Sequence, residues 1–128
     1  MSRSAVLFVA FTFAFFVSPQ ASAQSKQEKA KKEVTIIGEV IDTACYIKGG
    51  FKGIDHKDCV VACAKAGIPL AILEDGTGNV YFTAAPKDMV GTNDMLIKYA
   101  AEKVKITGRM YERGGVKLLA INMVERVN

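Results

Sequence analysis

The chain has 128 residues, with 17 Lys and Arg against 13 Asp and Glu, and a formal net charge of +4. That length makes one domain with a modest core. A basic balance invites nucleic acid as a partner, but the lysines are not interleaved with aromatics and much of the excess lies in one short segment, so nucleic acid is set aside.

Residues 1–23 read as a signal peptide rather than as fold. Arg3 supplies a positive start, residues 5–17 an apolar run too short to span a bilayer comfortably, and Ala21-Ser22-Ala23 an A-x-A cleavage site. Cleavage there exposes Gln24 and not a cysteine, which argues against a lipid anchor. The expectation is a periplasmic or secreted protein with no stable membrane insertion after cleavage. Residues 24–33 follow as a basic, flexible linker, where Lys26, Lys29, Lys31 and Lys32 outnumber Glu28 and Glu33 and little can be buried.

Residues 34–128 make the folded unit. The β-branched run at 34–42 reads as a first strand. Gly49-Gly50 and Gly53 mark a flexible loop. A helix is expected from about His56 to Ala66, with Asp55 as N-cap, Asp58 in a weak capping box, Gly67 at the C-terminal end and Pro69 preventing continuation. Residues 68–73 and 79–83 form a hairpin about the Glu74–Gly78 turn. A second helix over about 93–101 is capped by Thr92 or Asn93, and residues 103–111 and 116–127 are the closing strands.

That order predicts a mainly β fold with two short helices. It is a small OB-like (oligonucleotide/oligosaccharide-binding) five-stranded barrel, carrying a helical Cys/His insertion at 45–67 between strands 1 and 2. An internal echo supports it. Residues 34–40 and 104–110 each carry a mid-strand glycine, Gly38 and Gly108, which permits the bulge or sharp coil a small barrel needs. An open α+β sheet is the alternative.

All three cysteines and the single histidine fall between Cys45 and Cys63. His56, Cys59 and Cys63 stand at i, i+3 and i+7, sharing an arc of about 60° on a helix. Cys45 reaches them by folding back through the glycine-rich loop. Three sulfurs and one imidazole are a Cys₃His ligand set, so Cys45, His56, Cys59 and Cys63 are the candidate metal ligands. Zinc suits that set best, copper(I) also suits soft thiolates, and haem is the lesser candidate. A helix N-terminus nearby is expected to lower a thiol pKa and so favour binding.

Two other readings stay open. Cys45 can pair with Cys59 or Cys63 as a structural staple worth on the order of 3 kcal/mol, leaving one thiol over. The cluster can also be a redox or cofactor centre, although neither C-x-x-C nor C-x-x-C-H is present. One histidine excludes a blue-copper or Rieske site within the chain. No nucleophile elbow or phosphate-binding glycine loop appears, and Glu39, Asp42, Asp55 and Asp58 are not spaced as a catalytic dyad. A Cys59–His56 nucleophile pair is weaker than a shared ligand role beside two further cysteines.

The run Gly38-Glu39-Val40-Ile41-Asp42-Thr43-Ala44-Cys45-Tyr46, then Gly53-x-x-His56-x-x-Cys59-x-x-x-Cys63 and Gly67-Ile68-Pro69, resembles a family of small exported bacterial proteins. These share G-E-V-x-D-x-x-C-Y and H-x-x-C-x-x-x-C motifs ahead of an OB-like β region. The resemblance covers most of residues 34–127. It implies that the four residues form one site and is silent on that site's chemistry. The functional expectation is an exported, non-enzymatic metal-binding module acting on another exported or membrane-bound protein. A redox or cofactor-bearing subunit, or a disulfide-stapled binding domain, is the alternative.

Overall fold

The computed structural model describes residues 32–127. The residues expected to form a signal peptide, and those of the expected linker up to Lys31, lie outside them. Five strands form one sheet: β1 (Glu33–Asp42), β2 (Leu70–Glu74), β3 (Val80–Ala84), β4 (Lys103–Arg113) and β5 (Val116–Arg126). Strand β1 serves two partners. Its first half, Glu33 to Glu39, pairs antiparallel with β4, and its second half, Gly38 to Asp42, pairs antiparallel with β2. β3 then joins β5 in parallel, so the order β1-β2-β3-β5-β4 returns to its start and the sheet closes.

The two echoed glycines sit where a neighbouring strand's backbone comes close. A Cβ at Gly38 would run into the backbone carbonyl of Leu73, and one at Gly108 into that of Ala120. The β4–β5 register also slips between Thr107 and Gly108. A side chain at either position would push paired strands apart, so glycine here is a packing requirement as well as a bulge device.

The main core fills the inside of the sheet: Ile36 and Val40 from β1, Leu70 and Ile72 from β2, Val104 and Ile106 from β4, Leu119 and Ile121 from β5. Leu96, Tyr99, Ala100 and Ala101 join it from the β3–β4 connection. β2 is buried on both faces. Its alternate residues Ala71 and Leu73 form a second cluster with Ile41, against which Tyr46 packs. This explains the unbroken apolar run Leu70-Ala71-Ile72-Leu73, where a one-sided strand would alternate.

Among the described residues there are three short α-helices, not two: α1 (Thr43–Gly49), α2 (Lys57–Lys65) and α3 (Asn93–Leu96), with 3₁₀ turns at Ile54–His56 and Ile97–Tyr99. The loop marked by the glycines is present at residues 50–53, but the residues that lead into it from β1 form α1. Asp42 ends the strand in extended conformation and its carboxylate accepts from the Cys45 N–H, an N-cap that starts a helix at once. Gly50 ends α1 in the left-handed region at φ 71°, its N–H donating to Tyr46 O. The second expected helix is shorter in α form, because its last turn tightens to 3₁₀.

Candidate metal centre

Two elements carry the cluster. Cys45 lies in the first turn of α1, held by the 2.7 Å bond from its N–H to Asp42 Oδ1. Cys59 and Cys63 lie one turn apart in α2 and face the same side. Val60 and Ala64, buried in the main core, fix that helix against the sheet. The result is three half-buried thiols in one place. Cys45 Sγ is 3.7 Å from Cys59 Sγ and 3.9 Å from Cys63 Sγ, and all three sulfurs lie within 4.8 Å of one another.

His56 is placed differently from the sequence expectation. It closes the 3₁₀ turn Ile54–His56 and caps α2 with φ −98° and ψ 3°, so it is not a residue of the helix face that carries Cys59 and Cys63. Neither Asp55 nor Asp58 caps: the N-cap residue is His56 and no side-chain cap bond forms. The ring stacks on Phe51 at 5.3 Å between centroids and 16° between planes. Its donor atom groups within 4.8 Å of Cys45 Sγ and an Asp42 oxygen. Thus the structure gives two overlapping ligand groups, Cys45–Cys59–Cys63 and Asp42–Cys45–His56. Either can hold a metal ion.

Asp42 is the residue that the sequence reading left out of the ligand set. It is fully buried. While Oδ1 caps α1, Oδ2 stands 3.7 Å from His56 Nε2, and both of these buried atoms have no hydrogen-bond partner. That is too long for a hydrogen bond, and orphaned buried polar atoms are costly unless something else satisfies them. The available signal was Asp42-x-x-Cys45 itself, an acidic residue three before a cysteine at a strand end.

The electrostatics reverse the expectation from the helix dipole. The Cys45 thiol is pushed up to about 12, first by its hydrogen bond with Cys59, then by desolvation and by the Asp42 carboxylate. Burial, with Asp42 adding to it, pushes the Cys63 thiol up as well. Several potential anions in one small volume oppose one another's ionisation, and a single dipole terminus is outweighed.

Around the site, Glu39 accepts the Gly53 N–H and so holds the segment between α1 and α2 against β1. Ile47 on α1, and Phe51 and Ile54 on that segment, are exposed at 63%, 57% and 62%. No protein-family model matches this sequence, and no curated protein matches it.

Proposed function

We propose that this protein is an exported, non-enzymatic metal-binding module on an OB-like barrel, using Cys45, Cys59, Cys63 and His56 as ligands of a thiolate-rich zinc centre. One observation carries the reading. Two thiolates bonded to one zinc at about 2.3 Å each, at the tetrahedral angle, stand about 3.8 Å apart. Cys45 Sγ lies 3.7 and 3.9 Å from the other two sulfurs. A disulfide needs about 2.05 Å and would consume two of the three thiols, leaving the orphaned Asp42 and His56 atoms unexplained.

The signal-like residues 1–23 and the family resemblance support export to the periplasm or beyond. The exposed Ile47 of α1, and Phe51 and Ile54 of the chain that leads on to α2, lie between Cys45 and His56 in sequence, which supports docking on a second exported or membrane-bound protein. Zinc accommodates sulfur and nitrogen donors together, whereas copper(I) favours the sulfurs alone.

The test is a thiol titration of protein prepared without reductant, before and after chelation, with metal analysis of the same sample. The expected result is bound zinc, with all three thiols becoming reactive once it is removed. One reactive thiol in both samples and no bound metal would establish the staple instead, and Soret absorbance would establish a haem centre.

A further inference from the structure

We propose that the site holds two zinc ions, not one, joined through the Cys45 sulfur: the first on Cys45, Cys59 and Cys63, the second on Asp42, Cys45 and His56. This rests on the metal-binding reading above and adds Asp42 as a fifth ligand. An ion with bonds of about 2.0–2.3 Å serves donors no more than about 4.6 Å apart. The five donor atoms here fall into two groups within 4.8 Å, not into one, and Cys45 belongs to both.

The second group stands on its own observation. Asp42 is fully buried, and its Oδ2 meets His56 Nε2 at 3.7 Å with neither atom hydrogen-bonded. Oxygen and nitrogen donors at about 2.1 Å on one tetrahedral zinc stand about 3.4 Å apart, a few tenths from what is found. A shared cation satisfies both orphaned atoms at once. Without a cation, the ring would have to carry its proton on Nε2 and move several tenths of an ångström closer to Asp42 Oδ2 to make a hydrogen bond.

Charge points the same way. With their protons released to solvent on binding, three thiolates and one carboxylate carry four negative charges, which two divalent ions neutralise. A single divalent ion would leave two, beside a carboxylate removed from water. Each ion then has three protein donors and one position left for water or for a donor from a docked partner.

The experiment is native mass spectrometry of the reduced chain after zinc loading and removal of loosely held ion with a moderate chelator. Two zinc ions per chain are expected. Asp42→Asn and His56→Ala should each leave one, and Cys45→Ser should leave none. One ion in the wild type overturns the two-ion centre while metal binding stands; none overturns both. Asn retains an oxygen able to cap α1, and His56→Ala removes no cap bond, so one variant remains informative if the other misfolds. Cobalt(II) loading tests the bridge: two ions sharing one sulfur should be magnetically coupled. Two uncoupled cobalt ions would overturn the shared Cys45.

Discussion

The side chain of Asp42 meets two opposed demands. Its Oδ1 starts α1 by accepting the Cys45 N–H, while its Oδ2 is buried without a partner beside thiols whose own ionisation it opposes. In metal-free protein, Asp42→Asn keeps the capping acceptor and removes the buried charge, so its thermal midpoint should equal or exceed the wild type's. Asp42→Ala loses the cap as well and should cost about 1 kcal/mol relative to Asn. With zinc bound the order should reverse, wild type becoming the most stable; unchanged ranking in the two states would remove Asp42 from the site. Gly38 and Gly108 make a second residue-scale case. Because a methyl group at either meets backbone and not a flexible side-chain end, alanine there should destabilise by about 1–3 kcal/mol in chemical denaturation. Their presence was legible in the repeated mid-strand glycine, but the carbonyls they make room for belong to strands distant in sequence.

At the scale of elements, Asn93 does what its place near a helix start would not suggest. Its Oδ1 accepts the Leu70 N–H while its Nδ2 donates to Ala64 O and Ile68 O. One side chain thereby ties the end of α2 to the start of β2 and to α3. Asn93→Ala leaves three backbone groups without these bonds, and a loss of about 1–3 kcal/mol is expected in urea unfolding. Glu102 links elements too, accepting from Lys57 of α2 and Arg126 of β5, and Lys57 and then Arg126 hold its carboxyl below the ordinary 4.5. A depressed acid stabilises the fold above its unfolded pKa and loses that contribution as pH falls through about 4.5 toward the folded value. Glu102→Gln should therefore flatten the acid limb of a stability–pH profile. The strands and the glutamate turn were readable from alternation and turn residues. Helix α1 was not, because its β-branched Thr43 and Ile47 and its following glycines read as loop, and only the capping geometry of Asp42 tips the balance. The position of His56 escaped for a related reason. A 3₁₀ entry to α2 rotates it off the face that regular helical spacing assigns to it.

For the molecule as a whole, acid and alkali act on different parts. The folded chain holds Cys45 protonated to about 12, whereas an unfolded thiol ionises near the ordinary 9.0. A raised thiol pKa gives a contribution present below about 9 and lost as pH rises beyond it. Metal-free protein should thus lose stability in alkali, and Cys45→Ser should lessen that loss. Zinc-loaded protein should lose less, because the ion, not the proton, then compensates the sulfurs, and free zinc should raise the thermal midpoint by mass action. A metal-free alkaline limb no steeper than that of Cys45→Ser would contradict the account.

The first β1–β2 rung next to the insertion joins Asp42 to Leu70, and Thr43 donates from both its N–H and its hydroxyl to Pro69 O. Residues 43–69 therefore leave the barrel and return to it at a single closed neck. For the order of assembly this matters greatly. To join β1 with β2, a folding chain must first bring together the ends of that long excursion, and the entropic cost grows with the length left loose. An ion captured early by Cys45, Cys59 and Cys63 shortens the free path between the two strands before the strands meet. Refolding in zinc should then be faster as well as more complete, with the acceleration abolished by Cys45→Ser, the ligand on the near side of the neck.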